Sequence, residues 1–521
     1  MKKSILLGLL LLLIIPGWAQ PTFSRDISPI IYNHCTSCHR PGEIGPMPFV
    51  DYASVSAYAH MIAYVTESRY MPPWKADPAF SHLIDENILT DNEIQLIRDW
   101  VNAGAPQGNP AEEAPLPTFT TGSQLGTPDT VLSFATRYRH AGTNTDAYRV
   151  FVLPTGLTED RDIAAIEVRP GNKQIVHHTL IAADTTGAAR QLDQADPVYG
   201  YESFGGFGVT GASQNQFQGY VPGQRIRFFP EGIGQRLYAG SDLLVQMHYA
   251  PTAADEYDST TINIFYKDEP VQRYIENYIM LPTNNILTNG PFIIPANQTR
   301  TFHGVWTVPR DISLLAISPH MHLLGQSWEV WAISPTGDST NLIRISDWDF
   351  NWQGTYLFPQ MIKVRAGSQI HAYAAYDNTV NNPLNPNSPP TWVTWGERTQ
   401  DEMYYLPLTF VDYWPGDENV IFTAIDEVPG LASTETQFFP PYPNPARSEI
   451  VTGFYLRAAG PVTIELLDLK GQRLRQFQHQ VFYPAGRHAV TWPAGDLAPG
   501  LYLIQFSAGD YTALEKIMIQ P

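Results

Sequence analysis

The stretch Ser318-Pro319-His320-Met321-His322-Leu323-Leu324-Gly325 sets two imidazoles two residues apart, directly after the apolar residues Leu314, Leu315 and Ile317. Read as a strand, it sends His320 and His322 out from one face, because side chains repeat every second residue, and the pair can close on a single ion. Met403, in Asp401-Glu402-Met403-Tyr404-Tyr405, would add a thioether. A His-His-Met set suits copper, since thioether sulfur favours the cuprous state while imidazole holds both oxidation states; zinc, the main rival, rarely takes a Met ligand. A second set stands upstream, His177-His178 in Ile-Val-His-His-Thr-Leu and His248 in Gln246-Met247-His248-Tyr249. A lone histidine on an apolar strand is ordinarily a hydrogen-bonded core residue or a surface residue, and His140, His303 and His371 are read that way. Asp401 and Glu402 are read as structural.

Around these residues the chain breaks into short apolar or alternating runs bounded by Gly, Pro, Asn and Asp. One set covers 148–153, 163–168, 175–182, 243–249 and 261–266; a second covers 298–308, 312–317, 328–333, 369–376 and 403–411. Runs at such intervals predict two antiparallel β-sandwiches in tandem, each carrying one metal. The adjacent His177 and His178 pose a difficulty. On a regular strand they point to opposite faces, so both can bind one ion only at a bulge or a strand end.

His177-His178, Gln246-x-His248, His320-x-His322-Leu-Leu-Gly and Asp401-Glu402-Met403, in that order, resemble the copper type II, ascorbate-dependent monooxygenases, the peptidylglycine and dopamine hydroxylase group. The resemblance runs over residues 128 to 430 and implies two jelly-roll-like β-sandwich domains, 128–288 and 289–430. It makes His177, His178 and His248 the ligands of an electron-transfer copper, and His320, His322 and Met403 the ligands of a catalytic copper that uses O2 to hydroxylate a substrate C–H bond. An ascorbate-like reductant or another redox protein would supply the electrons. Peptide-processing members take a substrate carboxylate with an Arg two residues before the first His of the His-x-His pair and a Tyr four after the Met. Those positions here are Ser318 and Pro407, so peptidylglycine is not expected without a replacement cation. The substrate is otherwise an unknown small molecule.

Residues 1–20 begin Met-Lys-Lys, carry an apolar run from Ile5 to Ile15 and reach Gly17-Trp18-Ala19, which reads as a secretory signal peptide. The excess of 51 acidic over 32 basic residues argues against a nucleic-acid partner. Cys35 and Cys38 are the only cysteines, so no disulfide framework holds this exported chain, and its stability must come from its cores and metals.

Both cysteines fall in Cys35-Thr36-Ser37-Cys38-His39. In an exported protein this CxxCH run reads as covalent haem c attachment with His39 as iron ligand, in preference to a labile disulfide or redox pair. Met71, before Pro72 and Pro73, is the preferred sixth ligand; Met47, Met61, His60 and His82 are alternatives, and Met71 as simple core packing is another. A helix follows, with Thr90 and Glu93 as capping box, Ile94, Ile97 and Val101 on one face and Gly104 as stop. Residues 21–108 resemble a small class I cytochrome c, and the expectation is a mostly α-helical domain. Such a domain would relay electrons to the copper sites.

Residues 109–127, rich in Pro, Gly, Thr and acid, read as a semi-stiff linker. Residues 431–521 open with a linker through Pro440-Pro441-Tyr442-Pro443 and continue in short strands (462–467, 473–482, 488–492, 500–506, 513–519) with Ig-like alternation. The Leu466-to-Gln472 hairpin, Gly500-Leu501-Tyr502 and Lys516-Ile517-Met518-Ile519 resemble the type IX secretion sorting domain of Bacteroidetes. That implies the type IX machinery as partner and a secreted or cell-surface location. Two further readings stay open: a secreted copper and haem electron-transfer protein without hydroxylase activity, and a surface adhesin whose metals are structural.

Overall fold

The computed structural model describes residues 20–117, 119, 122–203, 206–211, 216–396, 398–420, 436–438, 441, 444, 446, 449–483 and 486–520. The signal-peptide segment lies outside the described residues. The chain divides into two compact units, Met1–Pro73 with Asn87–Phe119, and Trp74–Glu86 with Thr120–Pro521.

The first unit corrects the expectation of a mostly α-helical cytochrome c domain. The chain is mostly strand, and among the described residues this unit carries the short α-helices Ser28–His34, Tyr52–Ala57, Ala59–Glu67 and Asp91–Asn102. The cause is local. Pro41-Gly42, Gly45-Pro46 and Pro48 remove helical backbone conformations and hydrogen-bond donors from the run after the cysteines, which forms turns. Pro72-Pro73 then ends helical continuation, and Trp74–Glu86 belongs to the other unit. The last helix forms as its sequence demands. Thr90 accepts from the Glu93 amide while the Glu93 side chain takes the Thr90 amide, Ile97, Trp100 and Val101 are buried, and Gly104 follows at φ +86°. These helices close over Phe23, Ile31, Tyr32, Ile62 and Trp100, with Cys35 and Met47 packed against that core.

In the second unit, one sandwich pairs two five-stranded sheets. The first runs Thr130–Ser133, Thr261–Tyr266, Arg161–Arg169, Ile233–Leu237, Arg273–Tyr274; the second runs Tyr201–Glu202, Ala147–Pro154, Asp242–Tyr249, Val176–Asp184, Gln216–Tyr220. Strand Asp242–Tyr249 is buried along its whole length. Leu243, Val245, Met247 and Tyr249 enter the core between the sheets. The alternate residues Leu244, Gln246 and His248 therefore occupy the opposite face, where Leu244 packs in a separate small cluster and Gln246 donates to the Ser203 carbonyl at 3.2 Å.

The other sandwich pairs two four-stranded sheets. One has the order Glu276–Met280, Leu406–Asp412, Ile312–Ile317, Tyr356–Val364, the other Gln298–Thr307, Gln369–Asn378, Gly325–Ile333, Ser339–Ile345. Its core includes the fully buried Phe302, Trp328, Tyr376 and Tyr404. Each such side chain withdrawn from water contributes about 1.5–3 kcal/mol, which gives a sandwich of this size a core without disulfides. Glu276–Met280 already pairs with Leu406–Asp412, so this fold begins before residue 289. The segment Trp74–Glu86 runs over the same sandwich. Ala76 bridges Ile345, Asp77 accepts from Arg344 at 2.6 Å, Ser81 donates to the Leu342 carbonyl at 2.8 Å, and the Ile84 amide donates to the Leu357 carbonyl at 2.8 Å.

The C-terminal module is a third small sandwich, with sheets Gln437–Phe438, Glu449–Leu456, Gly486–Pro493 and Arg473–Tyr483, Gly460–Leu467, Gly500–Ala508, Tyr511–Ile519. Its 468–472 turn is tied by Asp468, which accepts from the amides of Lys470 and Gln472 at 2.8 Å.

Candidate metal centres

The first centre forms where three strands run side by side. Tyr148 and His178 both pair across from His248, and the register slips between Val176 and His178. That β-bulge at His177 answers the difficulty of adjacent histidines, because the extra residue rotates one side chain onto the face its neighbour occupies. His177 Nδ1 lies 3.0 Å from His178 Nδ1, and His248 Nδ1 lies 3.4 Å from the same atom. The nitrogens offered by the three rings fall within 4.8 Å of one another. His248 reaches outward through Nε2 to Asp146 Oδ1 at 2.7 Å, which leaves its Nδ1 for the centre, and the Tyr148 ring stacks on it with centroids 4.2 Å apart. Burial drives the His177 imidazole down to about 4, with His248 adding to the shift, and holds His178 well below the ordinary value of 6.5. Three ring nitrogens this close together, two of them on imidazoles that burial keeps from protonating, fit a divalent or cuprous ion.

The second centre follows strand Ile312–Ile317. Beyond it the chain stays extended but makes one isolated bridge, His320 with Tyr405, not the full strand expected. Ile317 pairs with Leu408, the Ser318 amide donates to the Pro407 carbonyl, and the His320 amide donates to the Tyr405 carbonyl at 2.9 Å. The ladder ends there: the amides of His322 and Met403 both turn to the Glu402 carboxylate, which brings the two segments together. His320 Nδ1 meets Gln353 Oε1, and His322 Nδ1 meets the Asp401 carbonyl at 3.2 Å. Both rings are thus left with Nε2 to offer, with centroids 5.1 Å apart and nearly perpendicular. Burial lowers the His320 imidazole to about 3, helped by His322, and lowers His322 too. Met403 is itself buried, and Tyr376 donates to its carbonyl at 2.8 Å.

Glu402 is the clamp between these segments. Its fully buried carboxylate accepts the amides of His322, Leu324 (2.9 Å) and Met403 (2.8 Å), and burial raises it to about 8. Asp146, Gln353 and Tyr148 went unread in the sequence, because each acts on a histidine brought to it by folding. His303 and His371 pair with each other at 2.9 Å on the other sheet of this sandwich, and His140 Nε2 donates to the Ala250 carbonyl at 2.9 Å.

In the first unit, His39 Nδ1 is 2.9 Å from the Met47 carbonyl and its ring stacks on Phe49 at 4.6 Å, which leaves Nε2 available. Cys35 and Cys38 are not joined in a disulfide, and burial pushes the Cys35 thiol up to about 12. An oriented imidazole beside two unjoined thiols fits thioether attachment of a haem with His39 as ligand. Met71, its amide donating to the Val65 carbonyl at 3.0 Å, is not among the described residues packed on the core that holds Cys35 and Met47.

A cavity of about 250 Å³ is lined by His178 of the first centre and by His320 of the second. Ser318 and Pro407 also line it.

Residues 441–520 match the family described as Secretion system C-terminal sorting domain. The C-terminal module is a type IX sorting domain. Its presence makes the type IX machinery a partner and marks the chain for export to the cell surface or beyond. No curated protein is similar to this chain. Among solved structures, a β-glucuronidase of Parabacteroides merdae aligns at 8% identity and TM-score 0.14, covering 50% of this chain and 31% of its own. A β-glucuronidase of Faecalibacterium prausnitzii aligns at 11% and 0.13, covering 44% and 38%. A β-D-mannosidase of Dictyoglomus thermophilum aligns at 10% and 0.14, covering 42% and 29%. The chain spans about a third of the length of these structures, and likeness at such scores carries no argument about fold or activity.

Proposed function

We propose that the tandem sandwiches form a copper-dependent monooxygenase which, after export, uses O2 to hydroxylate a C–H bond of a small molecule. The observation that carries this reading is that two unlike imidazole centres, one offering Nδ1 atoms and the other Nε2 atoms, each contribute a histidine to the lining of one cavity. Copper held at both would supply one-electron chemistry and oxygen activation.

The chain's own groups have definite tasks. His177, His178 and His248 hold the first ion, and Asp146 keeps the proton of His248 on Nε2. His320 and His322 hold the second with the Met403 thioether, while Gln353 and the Asp401 carbonyl fix both rings. The cavity seats the substrate beside His178 and His320. Electrons come from an ascorbate-like reductant or another redox protein. Haem c on Cys35 and Cys38, with His39 and a further ligand such as Met71, is the built-in candidate for that relay.

Metal analysis and paramagnetic resonance on the exported protein test the reading, with two coppers and one haem per chain expected. Incorporation of labelled oxygen into product separates it from a pure electron-transfer protein, which would cycle copper without substrate. Turnover unchanged in a Cys35→Ala, Cys38→Ala protein would remove the haem from the electron route.

A further inference from the structure

Trp74, Lys75 and Ala76 grip one connection of the second sandwich at its start, middle and end. That connection, 346–355, joins strand Ser339–Ile345 to strand Tyr356–Val364. At its start Ala76 bridges Ile345, and at its end the Trp74 ring stands edge-on to Tyr356 with centroids 5.4 Å apart. Between them Lys75, its side chain only 9% exposed, sets Nζ 3.1 Å from Asp347 Oδ2 and 3.8 Å from Asp349 Oδ2. The two carboxylates are unlike. Asp347 is 91% exposed, where water and salt leave an ion pair worth little. Asp349 is 15% exposed, and an enclosed carboxylate that loses its cation is left with an uncompensated charge.

Asp349 builds the turn in this connection. Its Oδ1 accepts from the Asn351 amide at 2.9 Å and from Asn351 Nδ2 at 3.0 Å, and its carbonyl accepts from the Trp352 amide at 3.0 Å. The same turn carries two groups that meet the second centre. Phe350 sets its ring edge-on to that of His322, 5.7 Å between centroids. Gln353 donates through Nε2 to the Phe350 carbonyl at 2.7 Å, which turns its Oε1 to accept from His320 Nδ1. An imidazole whose Nδ1 carries the proton has a bare Nε2. The contacts therefore run from Lys75 through Asp349 and Gln353 to the nitrogen that His320 offers.

We propose that Lys75 is a positioning residue for the second centre, holding the 346–355 connection in the form that presents Gln353 to His320. Lys75 lies 272 residues before Asp347, in the stretch of chain between the two parts of the first unit. The second centre is thus completed by a segment that precedes both sandwiches in the sequence. That His320 holds copper rests on the reading above; that Lys75 sets its tautomer does not.

The test uses the mature full chain, copper-free and carrying the heavy nitrogen isotope in its histidines, with ring tautomers read from proton–nitrogen correlation spectra at neutral pH. His320, assigned by the resonance lost in His320→Gln, is expected in the Nδ1–H form. Lys75→Met is expected to turn it into a mixture of both tautomers while His177, His178 and His248 keep their wild-type signals. Lys75→Arg is expected to keep the single form, Asp349→Asn to repeat the effect of Lys75→Met, and Asp347→Asn to show none. A His320 signal unchanged in Lys75→Met, or one that shifts only together with every other histidine, overturns the proposal. If Lys75→Met does not fold, Asp349→Asn decides by the same two outcomes. Copper competition titration on the same proteins separates this from the copper reading, with Lys75→Met expected to weaken the second centre by about 10-fold or more and leave the first unchanged. A wild-type chain that takes up no copper sinks the oxygenase and leaves the tautomer result standing. Copper uptake with Lys75→Met indistinguishable from wild type in both measurements does the reverse.

Discussion

Asp146 Oδ1, 2.7 Å from His248 Nε2, decides which nitrogen of that ring faces His177 and His178. Losing such an outer partner lowers metal affinity by about 10–100-fold. Asp146→Ala should therefore weaken copper at the first centre by that factor and leave the second unchanged, as competition titration with a chelator would read. Glu402 acts on more backbone. Glu402→Ala leaves three buried amides without acceptors, at about 1–3 kcal/mol each, so urea unfolding should show a loss on the order of 4 kcal/mol and copper should leave the second centre first. The histidines set the pH response of the copper-free protein. His177 near 4 and His320 near 3, with His178 and His322 also lowered from 6.5, mean that the unfolded chain binds more protons between those values. Stability should be full above 6.5 and fall as pH drops toward 4. Glu402, raised from 4.5 to about 8, works in the opposite sense between those values, but it is one group against four. A urea midpoint that stays flat from pH 7 to 4 would contradict this.

At the scale of elements, the first centre depends on how closely strand Gln216–Tyr220 approaches strand Val176–Asp184. The register between them slips from Thr179 to Ile181, and a Cβ on Gly219 would run into the Thr179 carbonyl oxygen. Gly219→Ala should push this strand outward, costing about 2–3 kcal/mol in the manner of an overpacked core, and loosen His178 beside it; thermal unfolding and copper affinity should fall together. Alternation and turn residues made most strands legible, as Thr90 and Glu93 did for the last helix of the first unit. The helical expectation for residues 21–108 failed because it weighed one capped helix and a haem motif above the Pro and Gly residues from 41 to 48. Nor could a local pattern show that Trp74–Glu86 lies along a sandwich more than two hundred residues away in the chain. Arg344 recognises Asp77 only once both are in place.

At the scale of the whole molecule, the sorting module and the two histidine clusters lie in separate sandwiches. A chain cut before residue 436 should stay inside the outer membrane, as cell fractionation would show, while keeping the copper stoichiometry of the full protein. Retention of surface delivery by that truncation would contradict the role of residues 441–520. The sequence by itself determined which side chains are available for this chemistry: the paired histidines and the methionine, the CxxCH run and the sorting tail, each written in adjacent residues and therefore readable without a fold. Only the tertiary structure decided how they meet. A bulge placed His177 and His178 together, a carboxylate from residue 146 took the Nε2 of His248, and Glu402 tied the segments that carry His322 and Met403. Such pairings are set by strand register and burial across long stretches of chain, and no local spacing encodes them.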